Sequence, residues 1–93
     1  MDFEWDPRKA TTNLRKHGVS FPEATTVFED LLSITVPDPD HSREEDRFLT
    51  VGQSHRLRPL IVAHTGRGNR IRIISVPRLT KTEREAYEEK SQD

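Results

Sequence analysis

Leu60-Ile61-Val62-Ala63-His64-Thr65-Gly66-Arg67-Gly68-Asn69-Arg70-Ile71-Arg72-Ile73-Ile74-Ser75-Val76 reads as a β-hairpin. Two runs rich in β-branched residues flank Gly66-Arg67-Gly68, and glycine tolerates the positive φ that a tight connection demands. In the second run Arg70 and Arg72 alternate with Ile71 and Ile73. Successive side chains of a strand point to opposite sides, so one face is expected to be cationic and the other apolar. Such a sheet buries one side and offers the other to an anion. Loop length decides which residues of the first run join the arginines, because a shift of one residue moves a whole strand to the other face. A three-residue loop, with Gly68 as a left-handed bulge residue, sets His64 opposite Arg70 and Val62 opposite Arg72. A loop that includes Asn69 pairs Thr65 with Arg70 and turns His64 toward the core side with Ile71. The shorter loop suits Gly68 better and is the expectation here.

With 93 residues the chain is expected to form one domain, spanning 1–93, with a modest core. Hydrophobic residues make up 31% and charged residues 33%, so the apolar set has to be concentrated in a few strands and helix faces, leaving surface for a partner. There is no cysteine, which excludes disulfides and thiolate metal sites and fits a reducing cytoplasm. No apolar run approaches the roughly 20 residues of a membrane span. Asp2, Glu4 and Asp6 do not suit the basic start of a secretory signal.

The net charge of −1 conceals a segregation. Residues 47–82 contain no aspartate or glutamate, yet hold Arg47, Arg56, Arg58, Arg67, Arg70, Arg72, Arg78 and Lys81. Acids lie outside that stretch, among them those of residues 2–6, 38–46 and the tail from Glu83. This pattern suggests a polyanionic ligand, nucleic acid first, because Arg and Lys contacts to phosphate supply most sequence-independent affinity. The plain alternative is a solvated arginine-rich surface.

Taken in order, Phe3-Glu4-Trp5 reads as a short strand with Phe3 and Trp5 on its core side. Asp6-Pro7 starts a helix as N-cap and first-turn proline, and Gly18 ends it. Its expected apolar stripe is Ala10, Leu14 and His17, with Lys16 and His17 favourably placed in the last turn. Ser20-Phe21-Pro22-Glu23 is a capping box opening a second helix with Ala24, Val27 and Phe28 inward. Leu32 to Val36 reads as a strand closed by Pro37 and Pro39. The loop from Asp38 to Asp46, including His41, offers oxygen and imidazole ligands but lacks the glycine and spacing of a calcium loop, so it is read as solvated. Phe48 to Gly52 forms the next strand and His55 to Pro59 a turn into the hairpin. Thr80-Lys81-Thr82-Glu83 is another capping box, and the helix it opens is poor in apolar residues, which leaves it weakly docked or dependent on a partner. The predicted order is β-α-α-β-β-β-α, an α+β fold built on a mostly antiparallel sheet.

Phe-Glu-Trp-Asp-Pro at 3–7, Asn-Leu-Arg-Lys-His-Gly-Val-Ser-Phe at 13–21, Glu-Ala-Thr-Thr-Val-Phe at 23–28, Asp-Pro-Asp-His at 38–41, Arg-Ile-Arg-Ile-Ile-Ser at 70–75 and Glu-Arg-Glu-Ala-Tyr-Glu at 83–88 together resemble the BrnT family. These are toxins of type II toxin–antitoxin systems. The resemblance implies a RelE-like ribonuclease that inhibits translation and is neutralised by a BrnA-like antitoxin, whose own domain contacts operator DNA. Where members of the family usually carry an arginine, this chain has Pro77, with Arg78 one residue late.

Metal-free RNA cleavage needs a base for the ribose 2′-OH, cations for the charge that grows on the phosphate, and an acid for the departing 5′ oxygen. A carboxylate-free stretch cannot build the usual oxygen-ligand magnesium site, so no cofactor is expected. The expected catalytic set is His64, Arg70, Arg72 and Arg78, with Tyr87 from the last helix. Arg47, Arg58, Arg67 and Lys81 are the expected RNA contacts. The rival reading is a catalytically weak homologue that serves as an antitoxin-bound co-repressor or an RNA-binding module. Exposed arginines in place of strand aromatics favour phosphate contact over base stacking.

Overall fold

The computed structural model describes residues 1–40 and 46–91. His41, weighed above with its neighbouring carboxylates as a metal ligand, falls outside them. The elements are β1 (Asp2–Trp5), α1 (Pro7–His17), α2 (Phe21–Thr25) continued by a 3-10 turn (Thr26–Glu29), β2 (Ile34–Pro37), β3 (Arg47–Gln53), β4 (Pro59–Arg67), β5 (Arg70–Ser75) and α3 (Lys81–Ser91). The fold is α+β as expected, with one strand more after the helices than the predicted order counted, because both arms of the hairpin contribute. The sheet runs β1-β5-β4-β3-β2, antiparallel except where β1 lies parallel to β5.

Pairs of partners set the two faces. Phe3 lies beside Ile71 and Trp5 beside Ile73, and these turn inward to the helices. Val19, Phe21, Ala24, Val27, Leu60, Val62, Ile73 and Val76 form the buried core, and the Trp5 and Phe21 rings meet edge-on at 5.9 Å. Trp5 is therefore a packing residue, the usual fate of a tryptophan beside an apolar layer.

Local chemistry explains the helix ends. Asp6 Oδ1 accepts from the Arg8 N–H at 2.8 Å, and Gly18, at φ +67°, closes α1 in the left-handed conformation by donating to the Leu14 carbonyl. The inward face of α1 differs from the expected stripe: Leu14 is 52% exposed, and Asn13 is buried in its place. Asn13 Nδ2 donates to the carbonyls of Val19 and Val76, and its Oδ1 accepts from the Val76 N–H. A side-chain amide thus joins α1 to the end of β5, where a leucine would have left those backbone groups without partners. Ser20 caps Glu23 N–H as expected, but the Glu23 carboxylate does not return to the serine; it is buried and turns to Ser54 and Arg58. The second capping box closes in both directions, Thr80 N–H to Glu83 at 2.8 Å and Glu83 N–H to Thr80 at 3.1 Å.

The hairpin register differs from both alternatives. Arg67 pairs with Arg70, so the loop is the two residues Gly68-Asn69, and Gly68 takes φ +60° at its first position. Gly66 belongs to β4, opposite Ile71. Thr65 then pairs with Arg72 and His64 with Ile73, before an irregularity at Ala63/His64 leaves Ile74 as an extra residue and sets Ala63 opposite Ser75. Relative to the expected loop every residue of β4 beside the turn changes face, and His64 goes to the helix side.

Candidate active site

The outer face of the sheet, away from α1 and α2, carries two cross-strand rows near the hairpin. One runs Arg47, Thr65, Arg72, Glu4 across β3, β4, β5 and β1; the next runs Arg67, Arg70, Asp2. The alternation that turns Ile71 and Ile73 to the helix side, with Ile73 in the core, points Arg70 and Arg72 outward. Arg72 Nη1 lies 2.6 Å from Glu4 Oε2, with the two side chains 30% and 27% exposed. Thr65 is buried and its hydroxyl donates to the Asp46 carbonyl at 2.6 Å. Beyond these rows the same face turns apolar, through Leu49, Val51 and Ile61 to Ile34 and Val36 on the edge strand, the last two 44% and 43% exposed.

The expected catalytic set does not gather in one place. Arg70 and Arg72 share the outer face. His64 lies on the other side, buried, its ring edge-on to Phe28 at 4.9 Å and stacked near Phe48 at 6.0 Å. Its Nε2 is 2.7 Å from Thr50 Oγ1, which is 2.7 Å from Thr35 Oγ1. Burial pushes the imidazole below its ordinary value of 6.5, which favours the neutral ring. Arg78 Nε donates to the His17 carbonyl at 2.8 Å, at the C-terminal end of α1. Tyr87 donates to Asp30 Oδ2 at 3.3 Å, and burial first, then the Asp30 charge, raises its phenol.

Among the expected RNA contacts, Arg47 and Arg67 stand on the outer face. Arg58 does not: its Nε donates to Glu23 Oε2 at 3.0 Å, its Nη2 to Glu23 Oε1 and to the Gly18 carbonyl. That bond holds the Glu23 carboxyl below its ordinary value of 4.5, against the opposing effect of burial. Lys81 opens α3, outside the sheet. Arg58 and Arg78 instead place cations on the last carbonyls of α1, where the helix dipole is negative.

Sequence reading missed Glu4. Its opposition to Phe3 and Trp5 was visible in the alternation, but its place beside Arg72 depends on β1 lying parallel to β5 across most of the chain. No three His, Asp or Glu side chains gather as a metal would require among the described residues, and no helix among them is long and apolar enough to cross a membrane.

A small α+β domain that presents arginines on an open sheet face has the form of a nucleic-acid-handling protein. The family model for the ribonuclease toxin BrnT of type II toxin–antitoxin systems matches residues 5–83, and the chain belongs to that family. It is thus a ribonuclease toxin whose system includes an antitoxin partner. In fold it is similar to the crystal structure of the Brucella abortus ribonuclease toxin BrnT, with 23% identity, a TM-score of 0.65, and coverage of 87% of this chain and 99% of that one. Among curated protein sequences none matches.

Proposed function

We propose that the chain cuts RNA without a metal at the outer sheet face, with Glu4 and Arg72 at the reacting atoms. The observation that carries this is their 2.6 Å pair, fixed on adjacent strands in a row that also holds Arg47 and is flanked by Arg67 and Arg70. In this reading the Glu4 carboxylate takes the proton of a ribose 2′-OH. The 2′ oxygen forms its bond to phosphorus, the bond to the 5′ oxygen breaks, and that oxygen takes a proton from solvent. The products are a 2′,3′-cyclic phosphate and a 5′-OH. Arg72 and Arg70 hold the charge that accumulates on the phosphoryl oxygens, as preorganised donors do best. His64, buried against Phe28 and Phe48, positions β3 and β4 and does not exchange the proton itself.

Translation inhibition in the cytoplasm follows from RNA cleavage, with residues 1–93 acting as one domain. A BrnA-like antitoxin is expected to cover the outer face, where exposed Ile34 and Val36 adjoin the cationic rows, and to bring the complex to operator DNA through its own domain. The rival, an inactive toxin kept as co-repressor, draws on Pro77 standing where an arginine is expected while Arg78 serves the end of α1.

The test is cleavage of a short RNA by the purified chain with and without EDTA. Cleavage that persists in EDTA and yields a 2′,3′-cyclic phosphate is expected. Glu4→Gln should lower the rate about a hundredfold, within the range for a general base. Arg72→Ala should lower it by a similar factor while leaving the melting temperature nearly unchanged, since ion pairs that reach solvent contribute little to stability. Full activity of both variants sinks the assignment, and a wild-type chain that neither cuts RNA nor slows growth favours the co-repressor.

A further inference from the structure

A second cationic feature lies apart from the outer rows. β1 ends at Trp5, opposite Ile73, so β5 continues through Ile74 and Ser75 with no strand at that edge among the described residues. Helix α1 runs alongside, tied to Val76 by Asn13. Between them is an open groove of about 310 Å3, lined in part by Arg8, Lys9, Thr12, Lys16, His17 and Ser75. Lys9, Thr12 and Lys16 follow an i, i+3, i+7 spacing and therefore stand along one side of the helix. The seven-residue step from Lys9 to Lys16 spans ~10 Å at the helical rise.

Helix α1 contains no carboxylate, and Lys9 and Lys16 pair with none among the described residues. Arg8 alone meets one, Asp6, at 3.7 Å. The Asp6 carboxyl, held low first by the Arg8 N–H, also feels Lys9 and Arg72, which places it at the junction of the groove and the Glu4–Arg72 pair.

We propose that the groove between α1 and the end of β5 binds the phosphate backbone of single-stranded RNA flanking the bond to be cut, with Lys9 and Lys16 on successive phosphates. The hydroxyls of Thr12 and Ser75 add uncharged donors, and the lining holds no Phe, Tyr or Trp on which a base would stack. The contact is therefore to backbone and indifferent to sequence. A strand held at Arg72 reaches the groove by passing the edge of β5 beyond Ile73, where β1 has ended. This inference rests on RNA being the substrate of the outer face.

The test is fluorescence anisotropy with a labelled 2′-O-methyl RNA of about 12 nucleotides, which lacks the nucleophile and stays intact, over a range of salt concentrations. Neutralising two phosphate contacts on a single strand lowers the slope of log K against log salt by about 1.4. Lys9→Gln/Lys16→Gln is expected to show that decrease, and Lys9→Gln alone about half of it. Arg15→Gln, on α1 but outside the groove, is expected to keep the wild-type slope. An unchanged slope in the double variant, or an equal loss per charge from Arg15→Gln, overturns the proposal. Cleavage of unmodified RNA by the wild-type chain is scored separately. A chain that binds through the groove without cutting refutes the catalytic reading and the flanking role with it, leaving only RNA binding by the groove, whereas cutting with an unchanged slope overturns the groove and leaves the catalytic reading.

Discussion

His64 shows how burial redirects a residue whose type suggests catalysis. An imidazole held between Phe28 and Phe48 and bonded to Thr50 contributes a satisfied polar contact inside the core layer. Thr50→Val keeps the volume but leaves the buried His64 ring nitrogen without its partner, while the exposed Thr35 hydroxyl turns to water. A loss of about 1–3 kcal/mol is expected in urea unfolding, the cost of stranding buried polar groups. The lowered pKa adds a pH signature. Between its folded value and the ordinary 6.5 the unfolded chain binds a proton that the folded chain does not, so stability declines as pH falls below about 6.5. His64→Gln should flatten the unfolding midpoint between pH 5 and 7, and an unaltered slope there would count against the buried neutral ring.

The elements were legible in the sequence wherever local chemistry decided them. The Asp6-Pro7 start and Gly18 end of α1, the Thr80 capping box and the strand runs all follow from residues within a few positions of one another. The register of β4 on β5 was not, because Gly66 and Gly68 both tolerate a turn and only long-range burial separates them. Gly68-Asn69 as a two-residue connection was the available signal, since Gly-Asn is itself a hairpin dipeptide. The shared face of Arg70 and Arg72 survived this error, as it depends on β5 alone; the company of His64 did not. Charge segregation along the chain pointed to nucleic acid but not to which arginines are paired, because the fold returns carboxylates to some of them: Glu4 to Arg72, Glu23 to Arg58. At this scale the turn before β4 holds a strained position. Leu57 has φ +63° and is 76% exposed. Leu57→Gly removes a left-handed penalty of about 1 kcal/mol without losing a packed side chain, and thermal unfolding should show a higher midpoint.

Across the whole molecule, one carboxylate links distant parts. Glu23 of α2 accepts from Ser54 and Arg58, and Arg58 continues to the Gly18 carbonyl at the end of α1, so the turn before β4 is fastened to both helices. Because Arg58 depresses the Glu23 carboxyl, this contribution is complete above its unfolded value, near 4.5, and is lost as pH falls through the lower folded value. Acid unfolding followed by circular dichroism should therefore be steep below pH 4.5, and shallower for Glu23→Gln, with the reduced stability of that variant already visible at neutral pH.

The parallel pairing of β1 with β5 also has a consequence during synthesis. Asp2–Trp5 is synthesised well before Arg70–Ser75, the strand it pairs with among the described residues. At about 5–20 residues added per second, β1 waits for several seconds with that edge unmatched. Glu4 and Arg72 cannot meet before then, and a nascent or prematurely terminated chain lacks the pair altogether. In the reading proposed above, each copy is therefore harmless to the cell until β5 has been made.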